Sequence, residues 1–430
     1  MVKKRHTFGP NRQGVFLSEE DMYLLTTIAE QRLLTTEQIH QYHSTVSKMK
    51  IDALRVKLIR WKRYNIVHSH EYSLGQKGCR FNYYRIGFNG IKVLIEEGKI
   101  PKSWKDIEIS KFSSTKNIEH FLATQEVVVK GITSIKNISS DIKSQNPYYY
   151  PYVDTASKSR LIVPDWILKN GNLHLNIEMD TGTESIQELQ MKVKSYIEYC
   201  ELNPDQEHIV LIVILDDTFL TRNKYGDDRS RRVGNLKKLL INTPGLQLAN
   251  LSVYVLPLKR ISDTIGNLLH GLKPDSVRNK IEYALSVGKV LGELNNNFEY
   301  NIEIVQDNLV FPPDIKKEIK PDGVIKLSNT SGTFNEFVFL HLMDEGNVKD
   351  IHVLNNLSNA IAEDIYKIKI NRIIAFYKKT EERINDVIGT EYENVLLGDF
   401  NEWTNSLNSE PVFYKFISPY RMEDCTYEGQ

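Results

Sequence analysis

Hydrophobic and polar residues alternate along the middle of the chain with two periods, first that of strands and then that of helices. An apolar run ends at Asp165, a Gly-Asn turn follows at 171–172, and residues 173–180 alternate strictly. This pattern predicts a β-hairpin. An apolar stripe at helical spacing comes next, formed by Ile186, Leu189, Val193 and Ile197. It predicts an amphipathic helix that packs on the sheet.

The same order of elements recurs farther along the chain. Pro321 and Asp322 precede a strand, and a second strand leads into Met343-Asp344-Glu345-Gly346, which we align with Met179-Asp180-Thr181-Gly182. Helices and strands then follow in the same order in both places. The recurrence predicts a duplicated α/β domain. The alignment pairs Glu178 with Leu342, so we expect that the second copy has lost an acid and is structural.

The N-terminal region has a different pattern. Helix starts are predicted at Ser18 and Thr35, and a third helix after Ser47 has the apolar stripe Ile51, Leu54, Leu58 and Trp61. Two extended segments, 66–73 and 81–86, precede a helix over 90–97. Three helices, a hairpin and a closing helix predict a winged helix-turn-helix.

These patterns predict an α/β protein, α+β overall, with three domains. A chain of 430 residues has room for two or three. We expect a winged helix-turn-helix DNA-binding domain over 15–105. A restriction-endonuclease-like, PD-(D/E)xK-like α/β domain over 115–262 follows it, and a degenerate second copy covers 275–415.

Charge is distributed unevenly, although the formal net charge is zero. Residues 1–100 hold 17 Lys and Arg against 9 Asp and Glu. Basic side chains that could contact phosphates lie on the third helix and the hairpin: Lys48, Lys50, Arg55, Lys57, Arg60, Lys62, Arg63, Lys77 and Arg80. We therefore predict that this module binds double-stranded DNA. Two alternatives stay open: a solvated charged face, and a winged helix that docks proteins.

The acids at the predicted hairpin carry the candidate chemistry. Asp165, Glu178 and Asp180 are placed where nucleases of the PD-(D/E)xK type hold Mg²⁺ or Mn²⁺, and the expected metal ligands are Asp165 and Glu178. Such nucleases have a lysine two residues after the second acid, where this chain has Asp180. Lys192, on the following helix, is the candidate replacement, with Lys194 in reserve. The alternative is that these acids are polar ends of a core hairpin in a binding domain.

Asp180 and His120 receive other expectations. Asp180 lies on the same face as Glu178, yet an aspartate persists in the second copy, which favours a structural role near the start of the next helix. His120 is expected to pack, or to form hydrogen bonds, within its own helix.

The compartment follows from what the chain lacks. Its three cysteines have no metal-ligand spacing, its longest apolar run, 209–215, is far too short to cross a membrane, and no apolar stretch follows the basic start. We expect a cytoplasmic protein that makes no membrane contact.

Several motifs in a fixed order resemble the replication-relaxation family of plasmids and integrative elements. They are Leu33-Leu34-Thr35-Thr36, Asn82-Tyr83-Tyr84, Asn117-Ile118-Glu119-His120, Val163-Pro164-Asp165, Glu178-Met179-Asp180 with Gly182-Thr183, and Lys192 with Tyr196. The resemblance covers roughly residues 15–260. It implies a bacterial, element-encoded protein acting in replication, DNA relaxation or mobilisation. The partners it implies are a second protomer in a homodimer, or replication or relaxosome proteins. The alternative is a non-catalytic DNA-bound regulator or scaffold.

Overall fold

The computed structural model describes residues 3–8, 13–73, 80–106, 117–134, 142–147, 152–153, 160–219, 229–269, 277–294, 299–329, 334–405 and 409–427. Helices combine with several sheets, so the chain is mixed α/β, as predicted. Over the described residues, we find no helix with the length and apolar character needed to span a membrane.

The N-terminal unit contains small antiparallel sheets and short helices. Its elements are β1 (Lys3–Phe8), β2 (Gln13–Ser18), α1 (Glu19–Gln31), β3 (Leu34–Thr35), α2 (Thr36–Ser44), α3 (Ile51–Arg63), β4 (Val67–Ser73), β5 (Arg80–Ile86) and α4 (Phe88–Glu96). Capping boxes begin α1 at Ser18 and α2 at Thr35, as their sequences predict. The strands pair in the order β3-β5-β4, and the buried face of α3 joins the core that α1 and α2 share.

The first α/β unit is built around a five-stranded sheet. Its elements are α5 (Ile118–Ser134), β6 (Lys143–Gln145), β7 (Tyr152–Val153), β8 (Arg160–Ile162), β9 (Trp166–Asn170), β10 (Leu173–Asp180), α6 (Ile186–Leu202), β11 (Glu207–Ile214), α7 (Ser230–Leu240), β12 (Leu251–Pro257) and α8 (Ile261–Leu269). The sheet order is β12-β11-β10-β9-β6. Apolar residues of α5 and α8 cover one face of the sheet, and those of α6 and α7 cover the other.

The second α/β unit has a seven-stranded sheet. Its elements are α9 (Val277–Lys289), β13 (Tyr300–Ile304), α10 (Asp307–Val310), β14 (Gly323–Asn329), β15 (Asn335–Leu342), α11 (Val348–Ala362), β16 (Arg372–Tyr377), α12 (Thr380–Asn385), β17 (Val395–Asp399), α13 (Phe400–Asn405), β18 (Phe413–Ser418) and β19 (Arg421–Cys425). The strands follow one another in chain order across this sheet.

Four strands of each unit correspond in order and direction. In the first unit β9 is antiparallel to β10, which runs parallel to β11 and then β12. In the second unit β14, β15, β16 and β17 repeat this arrangement. The recurrence seen in the sequence therefore has a counterpart in the sheets.

The register of these strands corrects the sequence alignment by one residue. The N–H of Asp165 donates to Ile177 O, and the N–H of Asp322 donates to Leu340 O, each at 3.0 Å. Glu178 therefore corresponds to His341 and not to Leu342. The alignment failed because it matched Gly182 with Gly346, which have φ of +82° and +83°, and the loop before the second glycine is one residue longer.

The two α/β units share one hydrophobic core. Residues of α6, α7 and α11 lie in the same buried cluster between the two sheets. Buried ion pairs cross the contact: Lys237 of α7 pairs with Asp386, and Arg260 donates to both carboxylate oxygens of Glu345 at 2.7 and 2.8 Å. The units therefore pack as one body, with charged groups enclosed between them.

Candidate functional site

Asp165 is fixed at the end of the β9–β10 hairpin. Its carboxylate Oδ2 accepts a hydrogen bond of 2.7 Å from the N–H of Met179 on β10. Its side chain is 23% exposed, so the carboxylate reaches the surface. Asp165 therefore has a fixed position and an open side toward solvent.

Glu178 faces α6 from the neighbouring strand and is buried. Its Oε1 accepts a hydrogen bond of 2.7 Å from the Tyr196 hydroxyl, and its Oε2 accepts one of 3.2 Å from Lys192 Nζ. Burial, together with the negative charge of Asp165, raises the pKa of Glu178 to about 7, and Lys192 and Tyr196 oppose this shift. The two carboxylates are thus close enough to repel each other.

Lys192 provides the positive charge at this pair of acids. Besides Glu178, its Nζ donates to Glu184 Oε1 at 3.1 Å. Burial by itself lowers the pKa of Lys192, but the carboxylates of Glu178, Asp165 and Glu184 outweigh burial and raise it above its ordinary value. Lys192 is therefore protonated at neutral pH, and the structure brings it together with Asp165 and Glu178.

Asp180 has different partners. Arg232 of α7 donates to both of its carboxylate oxygens, and the N–H of Gly182 donates to Oδ1 at 2.7 Å. Arg232 also donates to the carbonyl oxygen of Glu184 at 2.6 Å. These contacts hold the loop between β10 and α6. They fit a structural role near the helix start better than a role as a catalytic residue or metal ligand. The sequence favoured the same role from the aspartate in the second copy, but the corrected register pairs Asp180 with Met343.

His120 is the site residue that sequence reasoning missed. Its Nε2 lies 3.2 Å from Asp165 Oδ2, because α5 packs across the sheet with its first turn at the end of the hairpin. Burial lowers the pKa of His120, but the Asp165 carboxylate outweighs this effect and raises it above its ordinary value. The expectation that His120 packs, or forms hydrogen bonds, within its own helix did not include this contact with Asp165. Its presence in the Asn117–His120 motif was the available signal.

The neighbouring N-terminal unit holds α5 in this position. Gln38 of α2 donates to the carbonyl oxygen of Leu122 at 2.9 Å. The hydroxyl of Tyr72 on β4 donates to Glu119, the residue before His120. The candidate site is therefore connected to the N-terminal unit through one helix.

Divalent metal binding would rest on two carboxylates. Within the described ranges there is no cluster of three or more His, Cys, Asp or Glu side chains arranged to hold a metal ion. Asp165 and Glu178 are oxygen donors of the kind that Mg²⁺ and Mn²⁺ prefer. A cation would relieve the repulsion between them, which adds to burial in raising the pKa of Glu178. The donor chemistry therefore fits such an ion if water and a phosphate fill the other positions.

Most of the basic residues predicted to bind DNA are exposed around α3. Lys48, Lys50, Arg55, Arg60, Lys62 and Arg63 are exposed there, and Arg80 is exposed at the start of β5. Arg55 bonds to Asp52 at 2.9 Å. Lys57 differs, because its ammonium group pairs with Asp21 of α1 and its side chain is only 23% exposed. Lys77 lies outside the described residues.

The fold and the clustered acids and lysine define a mixed α/β protein with an N-terminal helical unit. The family model described as replication-relaxation matches residues 25–213, so this part of the chain is similar to that family, as its motifs predicted. The match includes α3, His120, Asp165, Glu178 and Lys192, and ends before Arg232 and the second α/β unit. Similarity to that family supports a role in plasmid or mobile-element replication or relaxation. Neither curated proteins nor solved structures gave a match to the chain.

Proposed function

We propose that this protein binds double-stranded DNA through a winged helix-turn-helix in its N-terminal unit and acts in the replication, relaxation or mobilisation of a plasmid or other mobile element. The observation that carries the proposal is the exposed basic face of α3, beside the β4–β5 hairpin. Such a helix fits the major groove, and its cations displace the counterions condensed on DNA phosphates.

Salt dependence of binding tests this proposal. Arg60→Ala with Arg63→Ala should weaken binding of duplex DNA. It should also reduce the magnitude of the negative slope of log affinity against log salt by about one unit for each phosphate interaction removed. Lys92→Ala, which removes an exposed cation from α4, is the matched control and should leave the slope unchanged. Equal slopes in the wild type and a folded double variant would remove these arginines from the interface.

A second function rests on the first α/β unit. We infer that this unit has a PD-(D/E)xK-like arrangement that cleaves one DNA strand with Mg²⁺ or Mn²⁺. The observation that favours it is the position of Lys192, whose Nζ lies 3.2 Å from Glu178 Oε2, in place of the lysine missing at position 180. A lysine reaching the acids from the next helix supplies the charge that the usual motif supplies from the strand.

Each residue of the site then has a distinct role. Asp165 and Glu178 would hold the metal ion, which would lower the pKa of a water molecule and polarise the phosphate. Lys192, which the neighbouring carboxylates keep protonated, stabilises negative charge on the phosphate. Tyr196 fixes the rotamer of Glu178, and His120 orients Asp165.

Nicking of supercoiled plasmid tests this second function. With its cognate DNA and partners supplied, the wild type should nick in Mg²⁺ or Mn²⁺ and not in a chelator, and Asp165→Asn or Glu178→Gln should abolish nicking. Asp322→Asn, at the matching strand end of the second unit, is the control and should cut normally. No cleavage in Mn²⁺, with no Asp165-dependent metal binding by calorimetry, would favour a non-catalytic regulator or scaffold whose α/β units dock a partner or a second protomer.

A further inference from the structure

The exposed face of α3 contains apolar side chains as well as basic ones. α3 buries Leu54, Leu58 and Trp61, and the 3.6-residue period places Val56 and Ile59 on the opposite side. Val56 is 68% exposed and Ile59 is 54% exposed. Among the large apolar side chains of the described residues, Val56 is the most exposed.

The charges around these two residues indicate what covers them. Arg60 and Arg63 are exposed on the same side of α3. Asp52 also lies on this side, but it accepts a hydrogen bond of 2.9 Å from Arg55. An apolar pair flanked by cations is complementary to the methyl groups and phosphates of DNA.

We propose that Val56 and Ile59 contact the 5-methyl groups of thymines in the major groove and so contribute to the DNA sequence that this protein selects. This inference rests on the proposed DNA binding. In the major groove thymine is the base that presents a methyl group, and apolar side chains on an inserted helix recognise it by contact. Arg60 and Arg63 hold the helix at the backbone, which carries no sequence information of its own.

Removing the thymine methyl groups tests the proposal directly. A duplex is first enriched from a random-sequence pool with the full-length protein, and each thymine in it is then replaced singly by deoxyuridine. Deoxyuridine keeps every hydrogen-bonding group and lacks only the methyl. Burial of one methyl group is worth about a fourfold change in affinity, so at least one replacement should weaken wild-type binding by about fourfold.

Variants then assign the methyl recognition to the two residues. Val56→Ala and Ile59→Ala should bind the thymine and deoxyuridine duplexes with nearly equal affinity at the affected position. Both side chains are exposed, so the variants should fold normally. Ile384→Ala removes an equally exposed apolar side chain from α12, and it should discriminate between the two duplexes as the wild type does.

The outcomes separate this inference from the proposed function. A protein that binds no duplex DNA overturns both. Binding without thymine in the enriched sequence, or without any effect of deoxyuridine, overturns the inference alone. So does full discrimination by Val56→Ala and Ile59→Ala, because other residues would then recognise the methyl group.

Discussion

In the first α/β unit the aspartate after Pro164 lies beside a buried glutamate, whereas in the second unit the aspartate after Pro321 lies beside a histidine. Asp165 Oδ2 accepts a hydrogen bond from the N–H of Met179 at 2.7 Å, and Asp322 Oδ2 accepts one from the N–H of Leu342 at 2.8 Å. The backbone setting of the two aspartates is thus the same. What differs is the residue before each N–H donor on the strand, which is Glu178 in the first unit and His341 in the second.

The difference separates the structural part of the motif from the part that carries chemistry. Because both aspartates make the same backbone hydrogen bond, that bond explains an aspartate at each strand end without any reaction. Glu178 needs another explanation, since its carboxyl is buried beside Asp165. Helix α6 adds Lys192 and Tyr196 to it, while α11 contacts His341 through the carbonyl oxygen of Asp350. Costly burial of a carboxyl group beside another is typical of functional sites.

The second unit has a different role, which is to cover the first. Its helix α11 completes the core between the two sheets, and its Asp386 forms a buried ion pair with Lys237 of the first unit. A unit without the glutamate can thus remain necessary for the one that has it. This contrast leads to four predictions, ordered from the largest expected effect to the smallest.

Removing the carboxylate between the units should have the largest effect. Asp386 pairs with Lys237 and accepts hydrogen bonds from the Tyr377 hydroxyl at 2.9 Å and the Gly346 N–H at 3.2 Å. Asp386→Ala leaves a fully buried ammonium group unpaired, so the free energy of unfolding should fall by about 3–5 kcal/mol. Urea titration measures this decrease. The exposed Asp314→Ala is the control, and a decrease below about 1 kcal/mol for Asp386→Ala would refute a structural role for this pair.

Removing the charge of Lys192, which α6 places beside Glu178 in the first unit, should have the second-largest effect. Lys192→Met keeps the length of the side chain and deletes the charge, so the rate of metal-dependent nicking should fall about 100-fold, or about 2.7 kcal/mol in barrier. Calorimetry should show metal binding nearly unchanged. Lys194→Met, two residues along α6, is the matched control. Equal rates for Lys192→Met and the wild type would exclude Lys192 from the reaction.

Glu178 should also make stability depend on pH. Its pKa is raised from the ordinary value of 4.5 to about 7, chiefly by burial, so the folded state binds the proton more tightly than the unfolded state. The contribution of Glu178 to the free energy of unfolding is fully present below the pKa of the unfolded state, and it is lost as pH rises through about 7. Between about pH 5.5 and pH 7.5 the wild type should lose about 2 kcal/mol relative to Glu178→Gln. Parallel urea titrations of both proteins measure this difference, and a constant difference across that range would contradict the shift.

How much of this contrast could be predicted depends on the distance between partners in sequence. The hairpin, helix α6 and the position of Lys192 follow from local periodicity, because each involves neighbouring residues. The pairing of Asp180 with Arg232 and of Asp165 with His120 depends on how distant helices pack on the sheet, which periodicity does not specify. The match of Glu178 with Leu342 failed for another reason: strand register is fixed by hydrogen bonds, whereas the alignment relied on a glycine beyond a loop of different length.

The smallest expected effect tests the feature that the two units share. Asp165→Asn and Asp322→Asn each replace a charged acceptor by a neutral one for the same backbone N–H, so each should lower stability by about 1 kcal/mol. Hydrogen exchange at the N–H groups of Met179 and Leu342 measures the two bonds separately, and both should become less protected by similar factors. Thr404, whose hydroxyl donates to Phe400 O within α13, offers a control far from both aspartates: Thr404→Val should leave both N–H groups protected. Faster exchange at Met179 without a change at Leu342 would mean that the two aspartates are not equivalent. The backbone role assigned to Asp165 would then fall, and its carboxylate would have to be explained by the site alone.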